Sequence, residues 1–243
     1  MITPRPVKDL GNVSELWHGD VLTHAGDIRV YLKRATNEEI LSECLCAVIG
    51  RALELPIPRA YLVHDPQRLL GGGILIGSED AGMRSWKHFI DAAYLTAING
   101  LSDWPMLHDV AVFDEWIANP DRNTGNILWD QVTGWALIDH ARSLGAWPPS
   151  RPVPPPSAEV RNLLAEIIHQ LPGELEPKRL EKLAQTRSQS YRRIDSQKAH
   201  EASRCAMIGM AERAREALSF LGARATLLPS LMERHNPQTS LKL

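Results

Sequence analysis

Residues 113–145, FDEWIANPDRNTGNILWDQVTGWALIDHARSLG, constrain the fold more than any other part of the chain. Residues 127–129 and 135–138 are short apolar runs on either side of a polar turn at 130–134, a pattern that predicts a β-hairpin. Residues 119–126, just before it, are polar and irregular. Upstream again, residues 106–118 place Leu107, Val110, Val112, Phe113, Trp116 and Ile117 on a broad apolar helical face. The order helix, polar loop, hairpin sets Asp121 and Asn126 five residues apart in the loop, with Asp139 at the far end of the hairpin. Three oxygen-bearing side chains then converge on one spot.

Phosphoryl transfer needs such a set: one carboxylate to orient the attacking hydroxyl, then an amide and a second carboxylate to hold Mg²⁺ against the phosphates. The same residues also read as plain turn chemistry, with Asn126 capping a strand and Asp139 closing the hairpin. The parts upstream favour the first reading. Lys33 lies on a strand after a turn, and Glu43 on the helix that follows. That pairing holds an ammonium group on the α- and β-phosphates, although taken singly Lys33 is an exposed edge charge and Glu43 a solvated helix residue. Residues 74–78, including Ile76, Gly77 and Ser78, lie where two differently patterned regions join, and their backbone groups are expected to meet adenine.

The first region, residues 1–80, reads as two strands, a helix and two strands, a small α+β lobe. A hairpin over 15–33 turns at 24–27, and a helix over 36–55 opens with Thr36 and Glu39 spaced as a capping box and stops at Pro56 and Pro58. Strands at 59–64 and 73–77 follow, joined through Asp65-Pro66 and Gly71 to Gly73. That glycine run reads as a turn and not a phosphate cradle, because no G-K-[ST] follows it. The second region, residues 81–243, is mainly helical, with helices predicted at 86–99, 106–118, 158–171, 176–185 and 195–221. Six prolines between 147 and 157 make a stiff connector, with Trp147 as its packed anchor or, alternatively, as the lining of a peptide groove.

Composition narrows the function classes. With 27 Lys and Arg against 29 Asp and Glu the net charge is −2, so the basic footprint of a general nucleic-acid binder is missing. No apolar run approaches a membrane span, and residues 1–11 lack the apolar stretch of a signal peptide, which leads us to expect a cytoplasmic protein. Cys44, Cys46 and Cys205 form neither a disulfide framework nor a zinc set by spacing.

The motifs VYLKR, SECLCAVIGRALELPIPRAYLV, FDEWIANPDRNTGNILW and WALIDHARSLG, which cover most of residues 28–145, resemble the HipA-like kinase family, within the wider superfamily that includes phosphatidylinositol kinases. The resemblance implies a two-lobed protein kinase-like fold, with a small β-rich N-lobe and a mainly helical C-lobe. It implies Lys33 as the nucleotide-phosphate lysine and Glu43 as its helix partner. Asp121 would be the catalytic base, and Asn126 and Asp139 the metal ligands. The co-substrate would be ATP with Mg²⁺, and the acceptor a protein Ser or Thr hydroxyl. A small-molecule phosphotransferase on the same scaffold, or a nucleotide-binding module with little turnover, is the alternative.

Three positions depart from the related kinases. Asn123 stands where a His often follows the catalytic Asp by two residues, and His140-Ala141 replaces Phe-Gly after the metal Asp. No glycine-rich phosphate loop is evident near Lys33, which leaves the turn at 24–27 either as the cover over the phosphates or as a simple hairpin turn. Arg122, beside Asp121, is expected to contact phosphate or substrate, or to pair with a carboxylate across the cleft.

Overall fold

The structure, a computed structural model, describes residues 2–7, 15–145, 152–171 and 178–235; Trp147 and the first prolines of the connector lie outside them. Five strands, β1 (Ile2–Pro6), β2 (Leu16–Thr23), β3 (Gly26–Lys33), β4 (Ala60–His64) and β5 (Ile74–Glu79), form one antiparallel sheet in the order β1-β2-β3-β5-β4. Helix α1 (Asn37–Ala52) connects β3 to β4. The remainder comprises β6 (Arg84–Ser85), α2 (Trp86–Ser102), α3 (Leu107–Trp116), β7 (Ile127–Asp130), β8 (Gly134–Leu137), α4 (Leu163–Ile168), α5 (Arg179–Tyr191), α6 (Ser196–Ser203), a 3-10 turn (Cys205–Ile208) and α7 (Ala211–Glu233). The protein is thus α+β, with an antiparallel sheet in its N-terminal region and helices dominating its C-terminal region.

Strand β1 was not legible in sequence because Pro4 and Pro6 argue against a strand. The sheet accommodates them at its edge, where β1 pairs with β2 alone. The helix expected over 195–221 is broken into α6, the 3-10 turn and α7, because the backbone turns left-handed at Arg204 (φ 57°) and Gly209 (φ 74°). Helix α7 then runs on to Glu233, past Pro229.

Strand alternation divides the sheet into two faces. Val30, Leu32, Val63 and Leu75 point outward to a small core closed by Leu70, from the loop between β4 and β5. The opposite face carries Lys33, whose rung neighbour Ile76 packs into the main core with α1 and α3. Every residue from Ile40 to Ala47 is buried, because α1 has the sheet on one side and the C-terminal elements on the other. Helix α3 is equally enclosed: the Trp116 ring stacks on Tyr191 of α5 at 4.2 Å, and its indole N–H donates to the Leu221 carbonyl of α7 at 2.8 Å. Strands β6, β7 and β8 form a second antiparallel sheet in that order, where Trp129 and Trp135 stack at 5.3 Å and Trp104, from the loop before α3, stacks on Trp135 at 4.9 Å, which fixes the β7–β8 hairpin. Helix α3 and the β7–β8 hairpin, which flank the polar loop, are therefore held in one core with the sheet face bearing Lys33.

The outer loop is organised by Asp65, whose carboxylate accepts the N–H groups of Leu69, Leu70 and Gly72 at 3.0, 2.7 and 3.0 Å. Burial pushes this carboxyl up, but the three N–H donors outweigh it and hold the pKa below the ordinary aspartate value. A depressed carboxyl stabilises the fold above the unfolded-state pKa and loses that contribution as pH falls through the folded-state value. The thermal midpoint of Asp65→Asn is accordingly expected to fall below that of the wild type at neutral pH. The gap should narrow as pH falls below about 4, the unfolded-state aspartate value; a gap that widens or stays constant as the pH is lowered from neutral into the acid range would contradict this account of the loop.

Candidate active site

Thr36 and Glu39 form the expected capping box: the Glu39 N–H donates to Thr36 Oγ1 at 3.3 Å and the Thr36 N–H to Glu39 Oε2 at 2.8 Å. This starts α1 shortly after β3 and brings Glu43 back over Lys33. The ammonium of Lys33 donates to Glu43 Oε1 at 2.7 Å and to Asp139 Oδ1 at 2.8 Å, joining residues 106 apart in sequence. Burial opposes the charge on Lys33, yet Glu43 and Asp139 prevail and hold it above the usual lysine range. Burial likewise raises Glu43, but the Lys33 ammonium and then His140 pull it well below the usual carboxylate range. Both groups are charged at neutral pH.

The loop that carries Asp121 is built by side chains reaching back to backbone. Its N–H donates to Asn119 Oδ1 at 3.0 Å, and its carbonyl accepts Asn126 Nδ2 at 2.7 Å. Asn123 Nδ2 donates to Asp121 Oδ1 at 3.2 Å, so the residue standing where related kinases often carry His orients the carboxylate. Beneath the loop, Arg122 is fully buried and forks onto Asp114 of α3 with two 3.0 Å bonds, and also donates to the carbonyls of Asn126 and Ile138. Arg122 therefore does pair with a carboxylate, but with one beneath its own loop and not across the cleft, and its donors are turned to that buried side and not to a phosphate.

Asn126 and Asp139 adjoin because the Ile138 N–H donates to the Asn126 carbonyl at 3.1 Å. Asp139 has φ 58°, a left-handed conformation for a non-glycine residue; such strain is held where the surroundings over-determine the backbone. Since Asn126 uses its Nδ2 on the Asp121 carbonyl, its Oδ1 is the atom left to face a cation. An amide oxygen and a carboxylate are hard donors that suit Mg²⁺. Among the described residues no group of three or more His, Cys, Asp or Glu is placed to hold a metal. The remaining ligands would have to be phosphate oxygens and water, as in phosphoryl-transfer sites.

Two expected elements sit elsewhere than the sequence suggested. Ile76, Gly77 and Ser78 lie inside β5 with rung partners on both β3 and β4, so their backbone groups face the sheet and not a ligand. The first residues beyond the ladder are Asp80 to Met83. The turn at His24 and Ala25 closes the β2–β3 hairpin at the Thr23–Gly26 rung, whereas Lys33 pairs with Leu16 at its other end. Seven residues of strand put them roughly 23 Å apart, so this turn is a hairpin turn and does not cover phosphates held at Lys33. Val7, whose N–H donates to the Leu16 carbonyl at 2.8 Å, marks the other strand end that reaches the Lys33 rung.

Sequence reasoning missed two neighbours. The His140 N–H donates to Glu43 Oε2 at 2.9 Å, tying the segment after Asp139 to α1. Burial, and then Arg122, press the imidazole pKa down, so it is neutral at pH 7. Arg142 Nη1 lies 3.6 Å from Asp121 Oδ2. Neither has a motif; only the apolar cast of residues 135–145 hints that this segment is pressed into a core.

Residues 27–146 match the family model of the HipA-like kinases. Among solved structures, the chain is similar to the proinflammatory kinase CtkA of Helicobacter pylori, with 13% identity and a TM-score of 0.56 over 99% of this chain and 97% of that one. At that identity the likeness speaks for the fold. No curated protein matches the chain.

Proposed function

We propose that this chain, which through residues 27–146 belongs to the HipA-like kinase family, transfers the γ-phosphoryl group of Mg-ATP to a hydroxyl, that of a protein serine or threonine. The observation that carries the reading is the meeting of Lys33 with both Glu43 and Asp139 at 2.7 and 2.8 Å, next to the loop of Asp121 and Asn126. In this reading the cleft lies between residues 1–80 and 81–243, and Lys33 holds the α- and β-phosphates while Glu43 holds Lys33. Backbone groups after β5 meet the adenine edge. Asp121 accepts the proton of the acceptor hydroxyl as its oxygen bonds to the γ-phosphorus and the β,γ-bridging oxygen leaves with ADP. Asn126 and Asp139 would hold Mg²⁺, which when bound would supply positive charge to offset that of the phosphates. No helix among the described residues is long and apolar enough to cross a membrane.

The test is the thermal midpoint with and without Mg-ATP for the wild type and Asp139→Ala. Ligand at about 100 times Kd adds about 2.7 kcal/mol, a rise of roughly 5–10 °C for a chain of this size. A Mg²⁺-dependent rise that is reduced in Asp139→Ala supports the nucleotide site. No rise in the wild type at millimolar Mg-ATP would sink the reading, and binding without turnover on any hydroxyl acceptor would favour the regulatory module.

A further inference from the structure

The segment after Asp139 is fixed by buried hydrogen bonds. The His140 N–H is taken by Glu43, the Ser143 N–H by the His140 carbonyl at 3.0 Å and the Leu144 N–H by the Ile117 carbonyl at 2.7 Å, while the Ser143 carbonyl accepts Ser42 Oγ at 3.2 Å. His140, Ala141, Ser143 and Leu144 are all buried, and Arg142 alone of these five residues is exposed. The backbone thus presents one side chain outward, a cation, with its guanidinium 3.6 Å from Asp121 Oδ2 and 49% of the side chain open to solvent.

Electrostatics gives this placement a purpose. A carboxylate poised beside a hydroxyl acceptor must tolerate the approach of a terminal phosphate, an anion meeting an anion. Two other cations stand at the cluster. Lys33 is bonded to Glu43 and Asp139, and Arg122 is sealed under the loop on Asp114. Arg142 stands in the turn three residues beyond Asp139 and reaches Asp121, so the segment that carries the metal-side carboxylate also sets a cation beside the base. A planar guanidinium there can exchange its contact with Asp121 for a forked contact with phosphate oxygens.

We propose that Arg142 binds the γ-phosphate, so that the site discriminates nucleoside triphosphate from diphosphate and the base is released from its ion pair only when a transferable group is present. This rests on the nucleotide reading above. ADP, which ends at the β-phosphate, keeps the Lys33 contacts and does not reach Arg142.

The experiment is a calorimetric titration of the full chain with Mg-ADP and with the magnesium complex of the β,γ-imido analogue of ATP, which cannot transfer its terminal group. Wild type, R142Q, R142K and K33A are compared. Loss of one charge-assisted contact predicts that R142Q weakens the analogue about tenfold or more and leaves ADP unchanged. R142K recovers part of the loss, and K33A weakens both ligands. Equal weakening of both ligands in R142Q, or no change in their ratio, overturns the role of Arg142 while leaving the nucleotide site standing. If the wild type binds neither ligand, the nucleotide reading fails and the role of Arg142 fails with it.

Discussion

Replacing Asp121 by asparagine is expected to lower phosphoryl transfer by about 10²–10⁴-fold, the range of a lost general base, while Mg-ATP binding is retained. The asymmetry follows from how the loop is built. Asn119 and Asn126 hold Asp121 by its backbone N–H and carbonyl, at 3.0 and 2.7 Å, and neither bond uses the carboxylate. Asparagine keeps both bonds and the side-chain volume but cannot accept the acceptor proton. Lys33 and Asp139 sit on other segments, and Asn126 keeps its bond to the Asp121 carbonyl, so the proposed nucleotide and metal contacts are left in place. Single-turnover transfer and calorimetric Kd, measured on the same preparation, separate the two effects. Transfer at the wild-type rate would remove Asp121 from the chemistry, and equal loss of transfer and ATP binding would make it a structural residue of the loop.

Residues whose placement follows from local pattern were readable before the structure. Lys33, Glu43, Asp121, Asn126 and Asp139 fall in order along the chain, and local patterns place each on a strand, helix or loop. The capping box at Thr36 and the turn at residues 130–134 are decided within a few residues, so they too were visible. What depends on register was not. Whether Ile76 to Ser78 offer backbone to a ligand depends on having a strand on both sides, and that is a property of β3 and β4 together. The distance of the His24 turn from Lys33 is likewise set by seven residues of pairing between β2 and β3.

The buried charges are an intermediate case. Asp114 and Glu115 interrupt the apolar face between Phe113 and Trp116 in a helix that is buried on every side. Two acids there require two buried cations. That signal was in the sequence, but the partners, Arg122 eight residues on and Arg224 more than a hundred residues on, are chosen by the fold. Arg224 donates to the Glu115 carboxylate at 2.7 Å and to its carbonyl at 2.8 Å, which ties α7 to the helix that leads into the Asp121 loop.

The pair beneath that loop gives the largest expected effect on stability. Asp114→Asn removes the only charge that the described ion pairs set against the Arg122 guanidinium, and both side chains are fully excluded from water. Taking one partner from a buried pair costs about 3–5 kcal/mol, because the other charge is left in a low-dielectric interior. For a chain of this size that is a fall in thermal midpoint on the order of 10 °C. Arg122 also donates to the carbonyls of Asn126 and Ile138, at 3.1 and 2.7 Å, so the strain falls on the two strand ends that carry the metal-side residues. Nucleotide-induced stabilisation should therefore shrink in Asp114→Asn as well. A double variant, Asp114→Leu with Arg122→Met, distinguishes charge from packing: with no charge left buried it should be more stable than Asp114→Asn, yet its site should still be impaired, since the two carbonyls have lost their donor. A midpoint for Asp114→Asn within a degree of the wild type would mean that water or another cation reaches Asp114, and that the loop is not held from below in the way its hydrogen bonds indicate.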